Sequence, residues 1–496
     1  MEKDEYIEKV IKLGDEGSEL LAKLCAPTLR NSQYVEILEE GMNGIAVLRL
    51  PTDYMCVVHS IGGDPEQEDL ADYARSLVDR LVGQADILGA TPIGFANVID
   101  SSTGDKSMLE TIAHSLVQAA NENNLAILNG ENAILGSRVN CAANMSGTMI
   151  SIIEKSSPLI QDEVAGNPHL ADGFINIKKG IYFATFDHGG LAVYTNSDGI
   201  GTKPEFYERA GGHIVSLEDS IAMRWDDANK IGAVIKVDSE VIETRGPVNF
   251  SAMSLRAEDL GKKYGVLCIR QHEPIGNRLR GYNLHVPAFN LSGSVVSTID
   301  EERLKNPLRP SNQECLVAIR GKLNPRSNGI SDKRRIMVDV LGENWHQTEA
   351  GGLFLEYLAT PSTILYPVFR ELIDQGLATS VYHMSGGAYE GKLARPLAKH
   401  GLHVEINGDA LYKPDWRELA IGGFSFTKPE EAYAKWPMGN DGFITTNNPE
   451  TSITLIKNCG LQARVVGELE KADGKTGVLL KGIKDSQGKD IYYSGR

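Results

Sequence analysis

Hydrophobic and polar positions follow two different periods in the first three fifths of the chain. Short apolar runs typical of buried strands alternate with longer stretches in which apolar residues recur with the helical period. The order strand, helix, strand, helix, strand occurs twice. The first set comprises strands Cys56–Ser60, Ile93–Ile99 and Leu125–Leu128 and helices Gln67–Leu88 and Leu109–Asn123. The second comprises strands Leu191–Thr195, Val234–Val241 and Val266–Ile269 and helices Ser216–Lys230 and Phe250–Tyr264.

Two landmarks recur between these sets at nearly one spacing. The pair Gly89-Ala90 corresponds to Gly232-Ala233 at an offset of 143 residues, and Glu131 corresponds to Glu273 at an offset of 142. Similar units at a fixed offset indicate an internal duplication. The segment between the sets is too short for a domain of its own and contains several turn-forming residues, so we expect a linker there.

These patterns predict five segments. They are a helical extension over 1–43 that includes a helix at Tyr6–Leu24, a first unit over 44–155, a linker over 156–180, a second unit over 181–300 and a C-terminal α/β domain over 301–496.

Composition narrows the class of protein. With 496 residues, 42% of them hydrophobic, the chain can bury two or three cores. A formal net charge of −16 argues against a nucleic-acid partner, which would require a basic face. No apolar run approaches the roughly 18 residues of a membrane span, and an acidic start is unlike a signal peptide, so we expect a cytoplasmic protein. The six cysteines are far apart and suggest neither zinc nor disulfides.

The octet Asn196–Lys203 combines a carboxylate, two glycines, a hydroxyl and a lysine after a predicted strand. Small residues let a backbone approach a phosphate, lysine neutralises its charge, and a carboxylate holds a divalent metal against phosphate oxygens. The alternative interpretation is a solvated turn, in which the Asp-Gly dipeptide is equally common. On the phosphate interpretation the binding residues are Asp198, Gly199, Gly201, Thr202 and Lys203.

The octet resembles the TDGVGTK signature of the aminoimidazole ribonucleotide synthetase superfamily. Further along, Ala359–Val368 resembles the LxPTRIYxxPV segment of the phosphoribosylformylglycinamidine cyclo-ligases, and His383–Gly387 resembles their HITGGG. Pro437–Ile444 resembles FNMGxGM, and Arg326–Ile330 resembles HSNGY. These four C-terminal motifs occur in the family's order at roughly its spacings, and the whole resemblance covers about residues 180 to 470.

The resemblance implies an enzyme that uses ATP and Mg²⁺ to close the imidazole ring of a phosphoribosyl substrate, formylglycinamidine ribonucleotide. It also implies dimers whose amino-terminal domains pair into a shared β-barrel. Because this chain carries two such units, we expect a mixed α+β and α/β fold in which two half-barrels form one barrel, followed by one α/β domain. The chain would then be a pseudo-dimer by itself, and a further homodimer stays open.

The two repeats differ at the positions that the resemblance assigns to the nucleotide. The family places a carboxylate five residues before its GA pair, where the second repeat has Asp227, preceded by Asp226, and the first has Gln84. The family's GGE is closer to Asn129-Gly130-Glu131 than to the second repeat's Gln271-His272-Glu273. We therefore expect one composite nucleotide site with Asn129, Gly130 and the metal ligands Asp198, Asp226, Asp227 and Glu131. Ordinary divergence, with these acids on a solvated helix or in a turn, is the alternative.

The remaining motifs would hold the substrate and perform catalysis. The resemblance implies catalytic roles for Lys203, Asp227 and His383, although a histidine at a strand end is often structural. It implies substrate contacts from Ser327, Asn328, Gly329, Thr360, Thr363, Ser385, Gly386 and Gly387. The threonines could equally cap a helix, and Ser-Asn-Gly could be a plain turn.

Departures from the family leave other functions open. Ala388 replaces the third glycine of HITGGG, and Ser362-Thr363 replaces the arginine of PTR. A formylglycinamidine ribonucleotide synthetase-like enzyme or a small-molecule kinase would share the ATP site. A nucleotide-binding regulatory protein without catalysis is a further alternative, although it would have no reason to keep Asp198, Asp227 and Lys203 together.

Overall fold

The computed structural model describes residues 17–38, 45–166, 168–283, 285–425 and 427–495. Their structure is mixed α/β and divides into two compact units. The first unit comprises the described residues of Met1–Glu208 and Ala233–Asn306, and the second those of Arg209–Gly232 and Pro307–Arg496. Of the helix predicted at Tyr6–Leu24, residues 6–16 lie outside the described residues, and the remainder belongs to helix α1, which covers 17–25. No helix in the described ranges is long and apolar enough to cross a membrane.

Twelve strands form two six-stranded sheets in the first unit as described. In chain order they are β1 (Val35–Leu38), β2 (Ile45–Leu48), β3 (Tyr54–Gly62), β4 (Thr91–Ser101), β5 (Ala126–Ile134), β6 (Ala143–Glu154), β7 (Gly173–Lys178), β8 (Ile181–Phe186), β9 (Ala192–Gly199), β10 (Val234–Arg245), β11 (Leu267–Pro274) and β12 (Ala288–Ile299). Helices of the unit are α2 (Leu70–Leu88), α3 (Lys106–Glu122), α4 (Pro158–Gly166), α7 (Phe250–Tyr264) and α8 (Glu301–Lys305), while α5 (Pro204–Ala210) lies at its boundary.

The two sheets have the same neighbour order. One reads β5-β4-β6-β3-β8-β7, and the other reads β11-β10-β12-β9-β2-β1. In each, one pair is parallel, β4 with β5 and β10 with β11, and the remaining pairs are antiparallel. The hairpin β1–β2, which precedes β3 in the chain, joins β9 through Leu48 and Val193. The hairpin β7–β8, which precedes β9, joins β3, so each sheet receives the hairpin that precedes the other sheet's strands.

An apolar cluster combines residues from both sheets. Val58 and Ile150 of one sheet and Val193, Val237 and Val296 of the other belong to it. Farther along the same strands the packed groups are hydroxyls, with Ser60 Oγ 2.5 Å from Ser239 Oγ and Ser146 Oγ 2.8 Å from Ser292 Oγ. The core between the sheets is therefore part apolar and part polar.

Local capping explains where the helices of this unit begin and end. Asp69 accepts hydrogen bonds from the first turn of α2, and Gly89, with φ of 75°, ends it. Asn249 caps α7, which ends at Gly265 with φ of 70°. Acceptor side chains satisfy the free N–H groups at a helix start, and glycine adopts the left-handed conformation at its end without steric cost.

The second unit contains a seven-stranded sheet in the order β14-β16-β13-β17-β15-β18-β19. Its strands are β13 (Cys315–Arg320), β14 (Ser380–His383), β15 (Leu402–Asn407), β16 (Gly442–Thr446), β17 (Gln462–Lys471), β18 (Gly477–Lys484) and β19 (Asp490–Tyr493). Its helices are α6 (Ser216–Ala228), α9 (Ile330–Leu341), α10 (Glu349–Leu358), α11 (Tyr366–Asp374), α12 (Arg395–Lys399), α13 (Trp416–Phe424), α14 (Pro429–Lys435) and α15 (Pro449–Asn458).

The strands and helices predicted for the first three fifths of the chain are present, with strands generally longer than predicted. The linker prediction for 156–180 is wrong, because this segment contains α4 and β7. Residues 209–232, which we expected within the second repeat, belong to the second unit. The pattern of hydrophobic and polar residues did not predict β6 or β12. Each is a central strand of its own sheet, β6 between β4 and β3 and β12 between β10 and β9.

Two buried carboxyl groups share one amide donor in the first unit. Asn290 Nδ2 donates to Asp100 Oδ2 over 2.7 Å and to Glu243 Oε2 over 2.9 Å. Burial raises the pKa of Asp100 to about 6 and that of Glu243 to about 8, and the proximity of Asp100 raises the pKa of Glu243 further. At neutral pH Glu243 therefore holds a proton in the native state.

This proton predicts a pH-dependent stability. A folded-state pKa above the unfolded value means that the native state binds more protons, so the free energy of unfolding falls as pH rises toward about 8. The slope is up to about 1.4 kcal/mol per pH unit for one titrating group. Urea unfolding followed by circular dichroism between about pH 6 and 8.5 should show this loss, and Glu243→Gln should flatten it. Glu110→Gln, at an exposed position of α3, is the control. An unchanged slope in Glu243→Gln would contradict the assignment.

Candidate active site

The Asn196–Lys203 octet lies at the end of β9 in the first unit. The strand includes Asp198 and Gly199, which we expected beyond it, and Gly201 has φ of 57°, a conformation that favours glycine. Asp198 is partly exposed, whereas Thr202 and Lys203 are buried. The Lys203 ammonium lies 5.8 Å from the centre of the Tyr207 ring. The octet is therefore a strand end followed by a tight turn, and its lysine is buried.

The triplet Asn129-Gly130-Glu131 lies within β5, not in a turn after it. Asn129 Nδ2 donates to the Thr195 carbonyl over 3.3 Å, so β5 of one sheet lies beside β9 of the other. Glu131 is partly buried, and Gly130 is exposed. The first unit thus brings this triplet beside the strand that carries Asp198.

The four predicted metal ligands are divided between the units. Glu131 and Asp198 belong to the first, and Asp226 and Asp227, on α6, belong to the second. No group of three or more His, Cys, Asp or Glu side chains in the described ranges is arranged to hold a metal ion. Neither unit by itself assembles the preformed set of carboxylates that we predicted.

Asp226 has a structural environment. It is fully buried, and its Oδ2 accepts a hydrogen bond of 2.8 Å from Arg326 Nη2, which is also fully buried. Its Oδ1 accepts from the backbone N–H groups of Leu365 and Tyr366 over 2.8 and 2.7 Å. Burial raises the pKa of Asp226 to about 7, although Arg326 acts to lower it. These partners occupy both carboxylate oxygens, which leaves neither of them for the metal ion that we expected Asp226 to bind. Asp226 instead fixes the start of α11.

The serine and threonine motifs are connected to the same helix. Asp219 Oδ1 accepts from the backbone N–H of Ser362 over 2.9 Å and from Ser327 Oγ over 3.3 Å. Thr363 Oγ1 lies 3.4 Å from Asp441 Oδ2, and Thr360 Oγ1 donates to a carbonyl of α10. The residues that we expected to touch substrate here make internal contacts that hold the loop between α10 and α11.

Asp227 and His383, to each of which the resemblance gave a separate catalytic role, lie in contact. His383 Nε2 lies 2.5 Å from Asp227 Oδ1, and Lys230 pairs with the same oxygen. His383 is buried, whereas 28% of the Asp227 side chain is exposed. Burial lowers the pKa of His383 to about 3, so the imidazole is neutral at physiological pH. Burial acts to raise the pKa of Asp227, but Lys230, Lys392 and His383 hold it well below its usual value.

His383 has contacts at both ring nitrogens. Nε2 lies beside Asp227 Oδ1 and 3.2 Å from Ser385 Oγ, and Nδ1 lies 3.5 Å from Arg326 Nη2. Both nitrogens thus have partners, and Asp227 is the member of the pair that solvent reaches. A neutral, doubly engaged imidazole orients the carboxylate more readily than it exchanges a proton with a substrate.

The Ser327-Asn328-Gly329 motif contacts the loop that follows His383. Asn328 Nδ2 donates to the Ser385 carbonyl over 2.7 Å. Gly329 has φ of 60°, and a Cβ there would lie 2.2 Å from the Trp436 ring. Gly386 and Gly387, which follow Ser385 in this loop, are exposed to solvent. Ser327-Asn328-Gly329 therefore positions the glycine loop through Asn328.

Sequence reasoning missed three charged residues of this site. Arg326 contacts Asp226 and His383, and its Nη1 donates to the Thr363 carbonyl over 2.9 Å. Its position in the HSNGY-like motif was a usable signal. Lys230 and Lys392 affect the pKa of Asp227, but they come from separate segments, and no motif marks them.

Comparisons with known proteins agree with the motifs. No family model matches the chain. Phosphoribosylformylglycinamidine cyclo-ligase from Methanococcus maripaludis is 24% identical over 318 residues, which are 60% of this chain and 84% of the relative. The enzyme of the same name from Methanococcus vannielii is 23% identical over 309 residues, 59% and 82% of the two chains. That from Clostridium perfringens is 25% identical over 195 residues, 39% and 56%.

Superposition on two solved structures gives TM-scores below 0.5. Thiamine-monophosphate kinase from Stenotrophomonas maltophilia has a TM-score of 0.41 and 13% identity over 66% of this chain and 96% of that chain. Phosphoribosylformylglycinamidine synthase II from Thermotoga maritima has a TM-score of 0.36 and 12% identity over 61% and 43%. The motifs and the sequence relatives together indicate the aminoimidazole ribonucleotide synthetase-like superfamily, and the weak identity fits an atypical member.

Proposed function

We propose that this protein is an ATP-dependent ligase that converts formylglycinamidine ribonucleotide to aminoimidazole ribonucleotide, with release of ADP and phosphate. The observation that carries the proposal is the contact between Asp227 and His383, two motif residues that lie 156 positions apart and meet at 2.5 Å. The sequence relatives, which have cyclo-ligase names, support the same reaction.

The reaction requires phosphorylation of an amide oxygen by ATP, attack of an amidine nitrogen on the activated carbon, and departure of phosphate. Asp227 stays ionised and is the exposed member of its pair, so it is suited to accept hydrogen bonds from the amidine. Orientation of the attacking nitrogen lowers the barrier to ring closure. His383 acts through Asp227 and is a positioning residue. This changes the role that the motif alone predicted for His383.

Asp198, Thr202 and Lys203 would hold the nucleotide, with Glu131 beside them on β5. Magnesium is commonly bound by one or two protein carboxylates together with substrate phosphates. The partly exposed carboxylates of Asp198 and Glu131 fit such a donor set, and an ion there would neutralise charge on the phosphoryl oxygens. A complete protein cage is not required.

We further infer that the first unit is an internal pseudo-dimer whose two sheets form one barrel. The shared strand order and the exchanged hairpins support this inference. Reciprocal contacts support it also: the N–H of Asn140 donates to the Arg278 carbonyl and the N–H of Arg280 to the Arg138 carbonyl, both over 2.8 Å. A β-bridge between Val139 and Leu279 lies between them. Equivalent contacts in both directions are typical of a twofold interface.

The nucleotide site can be tested by turnover. Asp198→Asn and the length-conserving Lys203→Met should abolish ATP-dependent formation of aminoimidazole ribonucleotide, because each removes a charge that offsets the phosphates. Glu131→Gln should raise the magnesium concentration needed for half-maximal activity. Glu110→Gln, on the exposed face of α3, is the control. An unchanged magnesium response in Glu131→Gln would limit the site to the second repeat.

The Asp227–His383 pair gives a separate test. Asp227→Asn should lower kcat by roughly 100-fold or more, and His383→Ala should lower it less, because its effect is indirect. Both should leave ATP binding, measured by calorimetry, unchanged. The fully exposed Asp409→Asn is the matched control. Since the pKa of His383 is about 3, kcat should show no loss from histidine protonation between about pH 8 and 5.5. Wild-type kcat in Asp227→Asn would contradict the assigned role.

A further inference from the structure

Two lysines lie beside the Asp227–His383 pair. Lys230 follows α6 and pairs with Asp227, and Lys392 is close enough to affect the pKa of Asp227 and of His383. Burial lowers the pKa of Lys230, Asp227 raises it, and the adjacent Lys392 ammonium lowers it again. Like charges repel, and Asp227 supplies one negative charge against the two ammonium groups, so these three side chains together carry one net positive charge.

The backbone between His383 and Lys392 has an unusual conformation. Gly387 has φ of 84°, and Ala388 has φ of 32°, which is strained for a residue with a Cβ. Tyr389–Ala394 then forms a π-helical turn that contains Lys392. The Ala388 N–H donates to the Ser385 carbonyl, and the Tyr389 hydroxyl accepts from Asn440 Nδ2, both over 2.9 Å. Short π-helical turns in proteins are frequent at functional sites, and this one fixes a lysine beside the pair.

The same loop presents donors to solvent. The N–H groups of Gly386 and Gly387 have no acceptor among the described residues, and both glycines are exposed. A Cβ at Gly386 would meet nothing within 4 Å, so the space above the loop is open. Successive N–H groups that end in a left-handed residue form a concave anion-binding nest.

We propose that Lys230, Lys392 and the N–H groups of Gly386 and Gly387 bind a phosphate monoester, and that this is the phosphate of the phosphoribosyl substrate. A phosphate monoester carries nearly two negative charges and three acceptor oxygens, which suit two N–H donors and two ammonium groups, one of which also pairs with Asp227. Lysine is a common phosphate ligand in proteins and acts as a point charge. The assignment to the substrate rests on the proposed function, while the phosphate chemistry could also belong to a nucleotide.

Binding measurements separate these sources. Calorimetry would compare formylglycinamidine ribonucleotide, the corresponding ribonucleoside without its phosphate, and ATP, each with the wild-type chain and with Lys392→Ala. Loss of one charged hydrogen-bond donor should weaken ribonucleotide binding by about 10-fold to 100-fold. Binding of the ribonucleoside and of ATP should not change. Lys392→Arg should recover part of the loss, and Lys399→Ala, an exposed lysine of α12, should have no effect.

Lys230→Gln provides a second variant and should show the same selective loss if Lys392→Ala fails to fold. Equal ribonucleotide affinity in the wild-type chain and both variants would overturn the phosphate site. A selective loss of ATP affinity would overturn its assignment to the substrate. A wild-type chain that binds the ribonucleotide through Lys392 but forms no aminoimidazole ribonucleotide would overturn the proposed function and leave the phosphate site intact.

Discussion

The buried carboxylate of Asp226 is the contact on which the second unit's site depends. It accepts from Arg326 and from two backbone N–H groups at the start of α11, and through Arg326 it is connected to Nδ1 of His383. Removal of one member of a buried ion pair commonly costs about 3 to 5 kcal/mol, because the other charge remains without a partner. Asp227 is the next residue on α6. By fixing this part of the helix, the buried Asp226 carboxylate also fixes the position of the solvent-exposed Asp227 carboxylate.

Much of the first unit could be predicted from its sequence, because its helices have strong end signals. Asp69 and Gly89 frame α2, and Asn249 and Gly265 frame α7. The central strands β6 and β12 could not be recognised by hydrophobicity. They are buried along nearly their whole length, but serine, asparagine and glycine occupy their first halves, where Asn290 and Ser292 have partners in the other sheet. Such polar positions are satisfied only by tertiary contacts, which a single sequence does not reveal.

The roles of residues in the candidate site likewise depend on tertiary contacts that the sequence does not reveal. Motifs singled out Asp227 and His383, which the structure brings together, but spacing alone could not separate Asp227 from Asp226, since the two are adjacent in the sequence. Their surroundings separate them: Asp226 is fully buried and has three donors, whereas Asp227 keeps 28% of its side chain exposed. Lys392, which affects the pKa of both members of the pair, belongs to a π-helical turn that follows a strained alanine. Conformations of this kind are set by the packing around them.

The exchange of hairpins between the two sheets has a consequence for how the chain is made. As synthesis proceeds from the amino terminus, β1 and β2 emerge early, but their partner β9 follows only after the whole of the other sheet. The sheet that receives them also requires β10, β11 and β12, which come after residues 209–232 of the second unit. Contacts between residues far apart in sequence form late and slow folding. The first hairpin must therefore stay unpaired with β9 until the central part of the chain has been synthesised, a period in which its open edge is accessible to chaperones or to other nascent chains.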